Sequence, residues 1–133
     1  MDIKKLFLLG AAFVCVIPTL ALADFCPQAS SLITLNGNVI GTDSAGRVVT
    51  YSGTFPLAGA VFSGANILFD PPMIMGNLGC VYTDSQGSGH NLTDFNPNEN
   101  VVSTGNNWLT NGGALSACQS QDNNPKECQY TAA

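Results

Sequence analysis

The chain holds 133 residues with a formal net charge of −5; 10% of its residues are charged and 45% are hydrophobic. Four cations are too few to displace counterions from a run of phosphates, which excludes a nucleic-acid binder built on a basic face. The hydrophobic share excludes a disordered polyelectrolyte, and the length fits one domain.

Met1-Asp2-Ile3-Lys4-Lys5 is a short head in which two lysines outweigh Asp2. Residues 6–17 then run for 12 positions with no side chain more polar than Cys15. Pro18 and Thr19 break the run, and Ala21-Leu22-Ala23 offers the small residues that a signal peptidase reads. A helix needs about 20 residues to cross about 30 Å of hydrocarbon, so this run is too short to be an anchor. Residues 1–23 are therefore expected to be a signal peptide cleaved after Ala23, with residues 24–133 forming a single secreted or periplasmic β-rich domain. Neither Cys15 nor Cys26 follows the small residues that lipid modification requires, so no membrane insertion is expected after cleavage. The remaining 110 residues carry Arg47 and Lys126 against eight acids, a net charge of −6. That balance disfavours nucleic acid and anionic membranes as partners.

Beyond the leader, Gly, Asn and Pro punctuate the chain throughout, and no window shows apolar residues at helical spacing over three turns. Residues 32–35 and 38–40 flank Asn36-Gly37, a strong short hairpin pattern because both residues accept positive φ. Residues 47–55 follow a turn at Asp43-Ser44-Ala45-Gly46 and alternate, with Val49, Tyr51 and Phe55 on one side. Two separate short runs come next, 60–62 and 66–69, before the Pro71-Pro72 break. Residues 78–83 place Cys80 and Tyr82 on one face, and residues 84–89 form a flexible turn. Weaker runs cover 91–95, 101–103 and 108–110. Asn111-Gly112-Gly113 turns the chain into 114–118, and 128–131 is the last run. Strands at this spacing predict an all-β fold, a small antiparallel sandwich or barrel-like domain. Cys80-Val81-Tyr82-Thr83 is echoed by Cys128-Gln129-Tyr130-Thr131, too short a string to define a repeat.

Once Cys15 leaves with the leader, four cysteines remain, Cys26, Cys80, Cys118 and Cys128; an even number in a small exported chain reads as two disulfides. Three pairings are open. The polar loop 119–127 favours a local Cys118–Cys128 clip, leaving Cys26–Cys80 to pin the mature N-terminus to the sheet. Zinc-ligand spacing is absent, since there is no C-x-x-C pair and His90 is the single histidine. No cofactor is expected.

Candidate chemistry is sparse. His90, with Asp84 or Asp94 and a serine such as Ser88, has the residue types of a hydrolase, but it sits in a glycine-rich turn and no G-x-S-x-G elbow is present. Asp70 and Glu99 are the carboxylates to weigh as an acid pair, though no spacing rule selects them. Asp94, Asn96 and Asn98 alternate like the start of a calcium loop. They depart from the EF-hand pattern at Glu99 and Gly105, where a glycine and a bidentate acid belong, and the residues read equally as an Asx-rich surface loop. Asn91-Leu92-Thr93 is a glycosylation sequon. Trp108, with Asn107 beside it and Tyr130 near the end, is the candidate ligand-binding set, in a setting suited to stacking on sugar. Against that, large rings fill the cores of small sandwiches, and core positions are favoured for Tyr51, Tyr82 and Trp108.

Cys26-Pro27, Phe62-Ser63-Gly64-Ala65 ahead of Gly79-Cys80-Val81-Tyr82, and the late pair Cys118 and Cys128 together resemble a family of small exported bacterial proteins with no assigned function. The resemblance implies a bacterial periplasmic or secreted β-rich domain and supplies no catalytic residues; the ending Tyr130-Thr131-Ala132-Ala133 departs from it. The expectation is a non-catalytic exported domain that binds a surface, glycan or protein partner. The alternatives are a small hydrolase using carboxylates or His90, and an enzyme inhibitor presenting the Cys118–Cys128 loop with Pro125.

Overall fold

The computed structural model describes residues 23–69, 75–111 and 114–133. Asp70, the Pro71-Pro72 break and Gly112-Gly113 lie outside the described residues, as do residues 1–22.

The fold is all-β. Eight strands form one antiparallel sheet: β1 (Ile33–Leu35), β2 (Asn38–Thr42), β3 (Val48–Tyr51), β4 (Val61–Leu68), β5 (Asn77–Thr83), β6 (Gly89–Asp94), β8 (Trp108–Asn111) and β9 (Leu115–Gln119). Their spatial order is β1-β2-β3-β6-β5-β4-β9-β8, and β7 (Val101–Ser103) pairs with β10 (Tyr130–Ala132) in a second, small sheet. Asp24 extends the small sheet by bridging Tyr130, and Gly76 extends it by bridging Val101. Among the described residues β1 and β8 remain unpaired edges, so the large sheet stays open and the architecture is a two-layer sandwich rather than a barrel.

The core lies between the large sheet and a covering layer made of the N-terminal segment, β7 and β10. Period-2 alternation sends Leu78, Cys80 and Tyr82 of β5 inward, beside Val39 of β2, Val49 of β3 and Leu92 of β6. Cys26, Val101, Cys128 and Tyr130 meet them from the covering layer, all fully buried. Two disulfides tie the layers together. Cys26–Cys80 fastens the N-terminal segment to the centre of β5, and Cys118–Cys128 fastens β9 to the chain entering β10. Tyr82 adds a polar link, its hydroxyl donating to the Pro27 carbonyl. Burial pushes that phenol's pKa up, keeping it a donor.

Sequence and structure differ at two strands. The runs 60–62 and 66–69 are one strand, β4, carrying a β-bulge between Phe62 and Gly64. The bulge adds one residue and resets the pleat, so that Phe62, Ala65 and Ile67 all point inward opposite Tyr82, Cys80 and Leu78. Gly64 is required there because a Cβ would strike the Cys118 carbonyl of β9. The expected strand 47–55 ends at Tyr51, and the chain leaves the sheet through Gly53 at φ 118°. Phe55 is still buried, but as part of a loop that folds back over β6.

Candidate functional site

Two hairpin turns share one construction. Thr42-Asp43-Ser44-Ala45-Gly46 joins β2 to β3, and Thr83-Asp84-Ser85-Gln86-Gly87 joins β5 to β6. In each, the aspartate amide donates to the carbonyl four residues on, at 2.9 Å, and the glycine amide donates back to the aspartate carbonyl. Each aspartate Oδ1 accepts the amides two and four residues ahead, and each glycine has positive φ, 92° and 87°. Oδ2 is then free to reach a basic side chain in both turns.

In the second turn that side chain is His90, whose Nε2 lies 2.9 Å from Asp84 Oδ2. The His90 hydrogen bond, with the Ser88 and Gln86 amides, holds the Asp84 carboxyl below its ordinary pKa range. Phe55 stacks on the imidazole at 3.9 Å between ring centroids, and Tyr51 meets it edge-on. Nδ1 is buried without a hydrogen-bond partner. His90 thus joins Asp84, rather than Asp94, and no serine hydroxyl among the described residues hydrogen-bonds to it. Its contacts fix the turn and anchor the loop carrying Phe55.

In the first turn the basic partner is Arg47, and a larger cluster forms. Arg47 Nη1 lies 3.0 Å from both Asp43 Oδ2 and Asp24 Oδ2, with 8% of its side chain exposed. Tyr130 Oη donates to Asp43 Oδ2 at 2.7 Å, and the guanidinium sits 5.7 Å from the Tyr130 ring centroid. Burial opposes the charge of Arg47, but its hydrogen bonds to the two aspartates outweigh that and hold its pKa above the ordinary value. Burial, together with the Asp43 charge, raises the Tyr130 phenol strongly. Tyr130 was expected among ligand-binding residues; it is fully buried and its hydroxyl is taken by Asp43, so no ligand can reach it without opening the core.

At the calcium-like loop, Asp94 Oδ1 accepts the Asn96 amide and Asn96 Oδ1 accepts the Asn98 amide, both at 3.0 Å. The alternating oxygens are occupied by the chain's own N–H groups, as in successive Asx turns. The neighbouring Asp94 carboxyl, followed by burial, raises the Glu99 carboxyl above its ordinary range. Among the described residues, no group of three or more His, Cys, Asp or Glu side chains converges as a metal site. Asp70, the other half of the considered acid pair, lies outside the described residues.

The Trp108–Asn107 neighbourhood does form a concavity, although the indole is not its platform. Trp108 stands opposite Cys118 and is half-buried, with Nε1 donating to the Gln129 carbonyl at 2.8 Å. Leu109 points to the opposite face and is 79% exposed. It borders a groove of about 460 Å³ lined by Asn107, Leu109, Ala117, Gln119, Gln121 and Glu127. Asn107 Nδ2 donates to the Glu127 carbonyl at 2.8 Å. The Glu127 carboxylate accepts from the Ser120 hydroxyl and from the amides of Gln121, Asp122 and Asn124, which lowers its pKa to about 2. This web freezes the Cys118–Cys128 loop. Pro125, the residue named in the inhibitor reading, is buried, whereas Gln121 to Asn124 and Lys126 of that loop are exposed.

Asn107, a residue singled out in the sequence, lines the groove; Leu109 and Ala117 share its face through the β8–β9 register, and Gln119 and Gln121 join them from the end of β9 and the loop beyond it, a grouping no local pattern shows. Asp43 and Arg47 were missed too, although the recurrence of Thr-Asp-Ser-x-Gly at both hairpins was a signal in plain view.

Comparison of the chain with models of known protein families, with curated proteins and with solved structures finds no match. The two disulfides belong to an oxidising compartment, and no described helix is long and apolar enough to cross a membrane.

Proposed function

We propose that the chain is an exported, non-catalytic domain whose β8–β9 groove binds a neutral glycan. The leader-like residues 1–23 and the disulfides support export. The observation that carries the binding reading is the lining of the groove. Carboxamides of Asn107, Gln119 and Gln121 surround the apolar side chains of Leu109 and Ala117, and the one charged residue, Glu127, has its carboxylate occupied by four donors. Carboxamides both donate and accept, which suits adjacent sugar hydroxyls, and an exposed aliphatic side chain suits the C–H face of a pyranose. The net charge of −6 beyond the leader argues for a ligand without negative charge. The clasped state of His90 and Asp84 favours a structural role for that pair.

Titration of the exported protein with a panel of neutral hexose and N-acetylhexosamine oligosaccharides tests this. Binding by at least one member, lost about tenfold or more in Gln119→Ala and in Leu109→Ala, is expected; tenfold corresponds to about 1.4 kcal/mol. No binding across the panel, or binding indifferent to both substitutions, overturns it.

A further inference from the structure

We propose that cutting the chain between Ala23 and Asp24 creates a fourth charged member of the cluster formed by half-buried Asp24 with buried Arg47 and Asp43, the new α-ammonium of Asp24, and that this charge locks the mature N-terminus onto β10. The proposal rests on the export reading above. Hydrolysis consumes one water: the Ala23 carbonyl leaves as a carboxylate, and the Asp24 nitrogen takes up a proton to become an ammonium.

The Asp24 nitrogen is already in place. It donates to the Tyr130 carbonyl at 2.7 Å, and the Tyr130 amide returns a bond to the Asp24 carbonyl at 3.1 Å. Those two bonds make Asp24 the outer strand position of the small sheet, beside β10. The Asp24 carboxylate reaches Arg47 Nη1, which also holds Asp43. In the uncut chain this cluster has two carboxylates and one guanidinium, a net charge of −1. The imbalance is costly because Asp43 and Arg47 are both buried. After cleavage the nitrogen that was a neutral amide carries a positive charge, and the cluster becomes neutral. The bond to Tyr130 becomes charge-assisted, a class roughly twice as strong as a neutral one.

The charged and titratable groups facing this position come from every neighbouring element. They are Asp24 itself, Asp43 and Arg47 from the β2–β3 turn, and Tyr130 from β10. Glu99, which follows β6, senses Arg47, and Lys126 lies 5.5 Å over the ring of Phe25. An ammonium stabilised by the fold holds its proton to higher pH than it does in the unfolded chain. Its contribution is therefore complete below the ordinary α-amino range of about 7.7–8.0 and is lost as pH rises through the folded value.

The test uses the exported protein, its N-terminus first read by intact mass and sequencing. Thermal melts are then compared between the free-amine form and the Nα-acetylated form, from about pH 6.5 to about pH 10. The free-amine form is expected to melt about 4 °C higher at the low end, with the gap closing at the high end. Groups common to both forms cancel in this difference. In Asp24→Asn the gap should shrink by at least half, since one of the two carboxylates that the ammonium balances is gone. A pH-independent gap, no gap, or an equal gap in Asp24→Asn overturns the proposal and leaves export standing. A processed product that begins at another residue does the same. Uncut protein held in the cytoplasm overturns both.

Discussion

Tyr130 Oη donates to Asp43 Oδ2 at 2.7 Å across 87 residues of sequence, tying the last strand to the first long hairpin. The bond sits in the buried cluster that also holds Arg47 and Asp24, so the two ends of the folded region share one polar centre. Tyr130→Phe keeps the ring and removes the donor. A hydrogen bond to a charged group contributes about 1.5–3 kcal/mol, and that loss is expected in urea unfolding. Groove binding should be unchanged, because Tyr130 does not line the groove.

The two disulfides should differ in weight. Cys26–Cys80 spans 54 residues and Cys118–Cys128 spans 10. Chain entropy predicts stabilisations of about 4 and about 3 kcal/mol respectively. Replacing Cys26 and Cys80 by Ala should therefore lower the unfolding midpoint more than replacing Cys118 and Cys128. The reverse ranking would show that the Glu127 web depends on its clip more than loop length suggests.

Gly64→Ala and Gly89→Ala form a matched pair. A Cβ at Gly64 collides with the backbone carbonyl of Cys118, and neither strand can withdraw without breaking the β4–β9 ladder. A loss of about 2–4 kcal/mol is expected. At Gly89 a Cβ meets nothing within 4 Å and the backbone φ is ordinary, so alanine should be neutral or stabilising by about 0.4–1 kcal/mol. Unfolding midpoints of the two variants check both signs.

Acid should loosen the C-terminal loop. Glu127 titrates at about 2 in the fold against 4.5 as the ordinary value. A depressed carboxyl contributes stability that is complete above its unfolded pKa and is lost as pH falls towards the folded one, so the window is about pH 4.5 to about pH 2. Asp84, also depressed, acts in the same direction. Glu99, raised by Asp94, acts oppositely: its carboxylate is strained above the ordinary range, and acidification relieves it. Glu127→Gln should lower the melting temperature near neutrality and flatten its fall in that acid window. An unchanged slope would mean that Glu127 is not the group being titrated.

Much of the fold was readable from local chemistry. Asn36-Gly37 turns with φ 52° and 79°, as such a hairpin needs, and Cys80 and Tyr82 share the buried face that alternation assigned them. The polar run between Cys118 and Cys128 marked a short loop. What escaped was set by register and distance. The Phe62–Gly64 bulge made one strand look like two, because period-2 reading fails where one residue is inserted. Tyr130 stands among the candidate ligand-binding aromatics in the sequence, since nothing local shows that Asp43 accepts from its hydroxyl. Trp108 packs against the core, the position favoured for it, but that Leu109 and Ala117 stand together on the opposite face follows only from the pairing of β8 with β9. The groove exists only once that register is known.

The account stands on two cross-links, Cys26–Cys80 and Cys118–Cys128, that fasten the segment around Cys26 and the chain entering β10 to the large sheet. Non-reducing proteolysis and mass mapping of protein recovered from the exported fraction tests this most directly. Peptides linked through Cys26–Cys80 and Cys118–Cys128, with Cys15 absent, are the expected result. Free thiols at these four positions, or Cys26 joined to Cys118 or Cys128, would contradict it.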